Sequence, residues 1–410
     1  MPVSSEKVGV LSERNMKWYL GGQLLSLTGT MLQTAVLSLL ILSISGKNNA
    51  AFWVGIVWAL DLAPGFLLGP FAGILLDRFN KKKVLLITSA LGVVQTSFLA
   101  FLTFTNQITI LEICVLALCM GIVNAIDGPG RNVIIKDAVV HDYNVRPASK
   151  MFTSLYNLAQ VAGPGLAGFL ILAFGYPLTF VINGLSFVAL IIALLNMKIS
   201  SVSIKDTRAE YSVWRLLKEG ALYAMQQPSL RISILLTGAV TLFGFFYYPI
   251  LAVISADMFH GTPITYSYLA AASGIGSFIG ALILINLGEK ISHSLLVIGG
   301  IICMGVALAL LSMTTYLPFG IFLVGLIGFS FMVSFSSLRS SILHLVRQEY
   351  TGIVMGYTFT FFYGGMMSGA FLAGYAANKY GCPLVLLTGG ILMIIIGCFT
   401  PFFSGIKGLD

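Results

Sequence analysis

GPGLAGFLILAFGYPLTFVING (residues 163–184) recurs at an offset of 206 as GAFLAGYAANKYGCPLVLLTGG (residues 369–390). Eight of these 22 paired positions are identical: Gly163, Leu166, Ala167, Gly168, Gly175, Pro177, Leu178 and Gly184 match Gly369, Leu372, Ala373, Gly374, Gly381, Pro383, Leu384 and Gly390. A shared spacing of small residues and a shared Gly-x-Pro signal point to a duplicated unit. In each copy the apolar run around the Gly-x-Pro is about twice the roughly 20 residues that one membrane crossing needs, so the turn signal separates two crossings.

The rest of the 410-residue chain has the same character. With 57% hydrophobic and only 9% charged residues and a mean hydropathy of +0.94, it cannot bury its apolar surface inside a water-soluble globule. Hydrocarbon leaves only helices or closed barrels as spanning structures, and runs of this length without ten-residue alternation select helices. Spans are expected near 17–44, 52–76, 84–104, 108–127, 151–174, 176–197, 231–256, 264–288, 293–315, 317–338, 353–378 and 383–405. The fold class expected is therefore an all-α polytopic membrane protein, with twelve transmembrane helices in two pseudo-symmetric six-helix bundles.

Sidedness follows from charge. Of the 23 basic residues, only Lys47 and Lys379 fall at odd-numbered loops, and the other 21 fall at the termini and even-numbered loops. Short cytoplasmic loops are rich in Lys and Arg, so both termini are expected in the cytoplasm. The net charge of +8 is then accounted for by topology and contact with anionic lipid headgroups, and no interleaved aromatic pattern argues for nucleic acid. The polar first sixteen residues lack the apolar core of a secretory signal, so the first helix is expected to remain as an anchor. Cys114, Cys119, Cys303, Cys382 and Cys398 show neither metal-ligand spacing nor a pairing scheme and are expected to be free thiols.

The long polar break at 198–230 divides an N-terminal bundle (1–197) from a C-terminal bundle (231–410). Within it Tyr211, Trp214, Leu217, Leu222 and Met225 recur at helical spacing opposite Arg215, Lys218 and Glu219, the pattern of an amphipathic helix lying on the interface. Two parallel bundles place a binding site between them near the midplane.

The loop after the second span reads Gly73-Ile74-Leu75-Leu76-Asp77-Arg78-Phe79-Asn80-Lys81-Lys82-Lys83-Val84-Leu85. It resembles the G-x-L-a-D-r-x-G-r-k-x-x-l signature of the major facilitator superfamily, with Asn80 in place of the second glycine as a residue that tolerates a left-handed turn. In relatives of this kind the acid joins a cytoplasmic charge cluster at the end of the fourth span, where Asp127 and Arg131 stand here. The resemblance implies that Gly73, Asp77, Arg78, Lys81, Lys82, Asp127 and Arg131 form a cytoplasmic gate. In the fifth span Gly163, Pro164 and Gly168 resemble the antiporter signature g-x-x-x-G-P-x-x-G-G, with Ala159 and Ala167 where glycines are usual. Together with Gly22-Gln23 and Gly29-Thr30-Met31-Leu32-Gln33, these motifs make the chain similar to the drug–proton antiporter branch that contains macrolide efflux proteins and the enterobactin exporter. The second half departs from that pattern at Thr351-Gly352-Ile353-Val354-Met355, where relatives usually carry arginines.

Asp61 lies about ten residues into the second span, where an unpaired charge is costly and marks function. Gly65, Gly69 and Gly73 follow at intervals of four on the same stripe, expected to face the other bundle. This makes Asp61 the proton-coupling candidate. Gln33, Asn124, Asn157 and Gln160 are the polar cavity candidates, because buried amides need partners. Phe243, Tyr247, Tyr363 and Met367 suit a pocket for bulky amphipathic molecules.

The combined expectation is proton-coupled efflux of a small amphipathic molecule (a drug, siderophore or related metabolite) by alternating access, acting as a monomer in the bacterial inner membrane. It calls for no metal, no cofactor and no catalytic residue. Uptake or lysophospholipid flipping on the same scaffold is the alternative reading. A membrane-embedded enzyme is remote, because Asp137, His141 and Asp142 form no convincing catalytic constellation.

Overall fold

A computed structural model describes residues 9–78, 80–198, 213–287 and 291–402. All of its regular structure is helical: α1 (Arg14–Ser45), α2 (Lys47–Arg78), α3 (Lys81–Phe104), α4 (Ile110–Ala138), α5 (Val145–Asn196), α6 (Val213–Gln226), α7 (Pro228–Phe243), α8 (Leu251–Met258), α9 (Pro263–Leu287), α10 (His293–Leu311), α11 (Leu317–Leu345), α12 (Thr351–Tyr380) and α13 (Cys382–Phe399). Nine helices among the described residues are long and apolar enough to cross a membrane. One of them, the 52-residue α5, is two crossings folded at Gly175. With α7 and α8 forming one broken crossing and α12 another, twelve spans result. The start of the first span and the end of the last therefore lie on one face, called the near face below.

The duplicated Gly-x-Pro makes the same turn twice. Gly175 has φ 73° and ψ 173°, and Gly381 has φ 84° and ψ 155°, a region that side-chain-bearing residues rarely enter. The proline that follows is already set for the first turn of the next helix.

Three expected boundaries and one expected turn are corrected. The fourth span does not end at Asp127 but continues through Pro129 to Ala138, and the tenth continues past Leu338 to Leu345. Arg131, Lys136 and Arg339 are thus helical and not loop residues. The seventh span is interrupted over 244–250, where Pro249 cannot supply a helical N–H. Asn80 has φ −66° and caps α3, its side chain accepting from Lys83 N–H, so a capping role rather than a left-handed turn explains it.

In the first bundle α1 packs on α5, α2 on α4, and α3 on α4 and α5; in the second, α9 packs on α11, α10 on α11 and α13, and α7 on α12. The bundles meet along two seams, α2 on α12 and α5 on α9. Glycines permit the approach: Gly55 lies against Ala370 and Gly374, Gly65 against Tyr363, Gly168 against Pro263, and Gly274 against Val161. These contacts run from mid-span toward the face opposite the termini, with Trp58 edge-on to Tyr248 at 5.9 Å and Phe169 to Tyr268 at 6.0 Å. On the near face, α6 docks on α12 through Gly220 against Ile353 and the Tyr223–Tyr350 stack at 4.4 Å. Leu222 and Met225 remain exposed. Tyr211 lies outside the described residues, as do the side chains of Trp214 and Leu217.

Gly175→Ala is expected to cost about 1–3 kcal/mol through backbone strain, read as a lower thermal unfolding midpoint in detergent. Gly299→Ala, where a new Cβ meets open space, should leave the midpoint unchanged.

Candidate functional site

Asp61 is carried by α2 at the level where Gly121 lets α4 approach the backbone of residue 61. It lines a cavity of about 30 Å³ with Thr30, Gln33, Thr34, Ser38, Trp58, Gln95, Met120 and Asn124. That space holds a water or two and is far too small for a drug-sized molecule. The carboxylate has one side-chain contact, a long 3.5 Å approach from the Asn124 amide; among the described residues no basic group pairs with it. The stripe expected to face the other bundle is split. Gly65 does meet Tyr363 across the seam, whereas the Asp61 side chain lies one turn away in the polar interior of its own bundle.

The surrounding amides are mutually satisfied. Asn183 donates to Gln33 at 2.8 Å, Gln33 to Gln95 at 3.1 Å and Trp58 to Ser38 at 3.2 Å. Gln95, Ser38 and Asn183 are additions that sequence reasoning missed; each is a lone polar residue in an apolar span, and only packing shows that they converge.

A second buried cluster lies toward the near face. Asp127 and Arg131, one turn apart on α4, form an ion pair and are 5% and 6% exposed. Thr88 donates to Asp127 at 2.7 Å, Arg131 donates to Gln23 at 2.6 Å and to Ser26 at 3.2 Å, and Tyr19 donates to the Arg131 carbonyl. Every partner belongs to α1, α3 or α4, so this network ties the first bundle together and does not bridge to the second. The side chains of Gly73, Asp77 and Arg78 lie outside the described residues. Of the basic residues beside them, Lys81 pairs with Asp137 at 2.9 Å and Lys82 caps the end of α5 at the Met197 carbonyl, 2.7 Å away.

The antiporter-like segment sits on the α5–α9 seam. Gly163 faces Thr28, Met31 and Leu32 of α1. On the other side Ser267 of α9 inserts its hydroxyl into the α5 ladder: Gly168 N–H donates to Ser267 Oγ at 2.7 Å, and Ser267 donates to the Pro164 carbonyl at 2.9 Å. Ser267 thus ties one turn of α5 to the opposite bundle through both a donor and an acceptor. Ser267 was missed because nothing in the sequence marks it as opposite Pro164.

The remaining cavity candidates do not gather around Asp61. Asn157, Gln160 and Met367 are half-buried on α5 and α12. Phe243 packs against the core. Tyr247 is fully buried in the 244–250 break with its hydroxyl 2.8 Å from Ser273.

Twelve spans in two bundles, with polar side chains held in mid-span, make up the architecture of the major facilitator fold. Residues 10–405 match the model of the transmembrane secretion effector family, and the chain belongs to that family of the major facilitator superfamily. It is 25% identical over 396 residues to macrolide efflux protein A of Streptococcus pyogenes, covering 95% of this chain and 96% of that one. It is also 25% identical over 235 residues to the staphyloferrin A transporter of Staphylococcus aureus, covering 57% and 58% respectively. The crystal structure of a D-xylose–proton symporter superposes with a TM-score of 0.74 at 12% identity, covering 98% of this chain and 99% of that one. The chain is a multi-pass protein of the bacterial cytoplasmic membrane that moves a small molecule.

Removing Arg131 alone leaves the Asp127 carboxylate buried and uncompensated, so Arg131→Ala should cost about 3–5 kcal/mol, measured as a fall in folded yield on size exclusion. The double replacement Asp127→Leu with Arg131→Met should cost less than either single change. A double variant as damaged as the two singles combined would show that the pair is not a coupled unit.

Proposed function

We propose that the protein is a proton-coupled exporter of a small amphipathic molecule, with Asp61 as the coupling carboxyl. The observation that carries this reading is the isolation of Asp61: a mid-span acid in a water-sized polar cavity, without a basic partner among the described residues and one turn from the α2–α12 seam. An unpaired carboxylate there is costly as an anion and tolerable once protonated. Loading or releasing its proton therefore changes the stability of the cavity, and α2 carries that change to the seam.

In this reading residues 1–197 and 231–410 are the two moving bodies, 198–230 tethers them, and the basic near face is cytoplasmic. The seams are closed from mid-span to the far face, so the conformation is the one that admits cargo from the near face. Opening outward requires Ser267 to leave the α5 ladder, after which Gly168 N–H can return to the Pro164 carbonyl. The switch thus exchanges one hydrogen bond for another and has a low intrinsic cost. The near-face basic loops and α6 rest on lipid headgroups, the chain works as a monomer, and no cofactor takes part. The efflux functions of the macrolide relatives support the outward direction.

The test is accumulation of erythromycin and of staphyloferrin A in cells with and without the protein, before and after collapse of the proton gradient. Expression should lower accumulation of at least one of them; the effect should vanish on collapse and in Asp61→Asn at equal abundance. Raised accumulation on expression would point to uptake, and full export by Asp61→Asn would remove Asp61 from coupling.

A further inference from the structure

The extension of α11 moves Arg339 out of a loop and into a spanning helix that continues to Leu345. Arg131, the other described arginine inside a span and away from its terminal turns, is bound to Asp127, Gln23 and Ser26. Arg339 has no carboxylate at ion-pair distance among the described residues. Its side chain is exposed, and its guanidinium stands 5.9 Å from the ring centre of Phe359 on α12. Ionisable groups at such positions are costly and typically face a pathway.

Its surroundings show where it faces. Phe331, Phe335 and Arg339 repeat at intervals of four and share one face of α11. Phe331 meets Phe245 at 4.7 Å, Phe335 meets Phe362 at 4.9 Å, and Phe362 stands edge-on to Tyr363 at 5.5 Å, which covers Gly65 of the first bundle. The other flanks of α11 are occupied, by α10 where Gly300 meets Ser334 and by α9 where Gly276 and Gly280 meet Gly325 and Phe329. α7 also packs on α11, and the face carrying Phe335 and Arg339 turns to α12, where Arg339 stays exposed beside Phe359. The Asp61 cavity is lined by the first bundle alone and at about 30 Å³ is only water-sized, so the cargo needs a different wall.

We propose that this ladder is the cargo-binding wall and that Arg339 is its anion-recognising group, so that the cargo is an anionic amphiphile: a carboxylate or phosphate on an aromatic or otherwise apolar body. The planar guanidinium presents paired donors that fit a carboxylate or phosphate, and it stacks on rings while doing so. The rings hold the apolar body. The arriving anion supplies the counter-charge that the described residues do not. This assignment rests on the transporter reading and deepens it by naming the class of cargo; it places no demand on Asp61.

The experiment is equilibrium binding to the full-length protein in nanodiscs with three probes: 1-pyrenebutyrate, 1-pyrenebutylamine and oleoyl lysophosphatidate. Arg339→Gln should weaken at least one of the two acids by about 10- to 100-fold and leave the amine unchanged, and Arg339→Lys should lose only part of that affinity. Dependence confined to lysophosphatidate identifies a lipid headgroup as the anion source, and dependence confined to pyrenebutyrate a soluble carboxylate; both support an anion site. Equal loss of acid and amine, undiminished acid binding by Arg339→Gln, or no acid binding by the unaltered protein overturns it. Should Arg339→Gln fold poorly, the selective loss of acid over amine in Arg339→Lys decides the matter. Binding is read without a proton gradient, so failure of gradient-driven export leaves this result standing, and the reverse also holds.

Discussion

Hydrocarbon offers a peptide group no hydrogen-bond partner, and every feature of this protein answers to that constraint. The backbone satisfies itself in helices, and it departs from helix within the membrane only where other protein surrounds it. The 244–250 break is the clearest case: Tyr247 is fully buried there and Phe246 packs onto Gly389. Beside Pro164 the Ser267 hydroxyl of the opposite bundle likewise bonds an α5 N–H, that of Gly168, and the Pro164 carbonyl. A repair supplied by the opposite bundle differs from one supplied within a helix, since it can be undone by moving the bundle.

The same scarcity of partners sorts the buried charges. Asp127 and Arg131 neutralise one another and draw on hydroxyls and an amide of their own bundle. Asp61 and Arg339 lack opposite-charge partners among the described residues. One lies in a water-sized cavity lined by the first bundle and the other beside an aromatic face of the second. The proposed reading assigns a proton to the former and a larger anion to the latter, which would give coupling ion and cargo separate sites on either side of the α2–α12 seam.

Much of this was legible in the sequence. The twelve crossings, the duplication and the two Gly-x-Pro turns follow from run length and small-residue spacing, because lipid makes length a strict requirement. The ends of α4 and α11 were not legible. Gly128-Pro129-Gly130 reads as a terminator and the residues after Leu338 as a polar loop, yet both segments stay helical where packing and interfacial water satisfy them. That error placed Arg131 and Arg339 among the topology-setting loop charges; the association of Asp127 with Arg131 was legible all the same, whereas the place of Arg339 inside a spanning helix was not. Asp61 was visible because a lone acid in an apolar run is conspicuous, whereas Ser267, Gln95 and Ser38 gain their meaning only from what lies opposite them.

The central claim is that the charge on Asp61 sets which face is open. Spin labels at His141 and Gln348 on the near-face loops, and at Asn106 and Thr315 on the far-face loops, would report both openings as paired distance distributions measured across pH. The account predicts that acidification shifts the near and far distances in opposite senses, and that Asp61→Asn holds the acid-state distribution at every pH. Distances in Asp61→Asn that still follow pH as in the unaltered protein would contradict it.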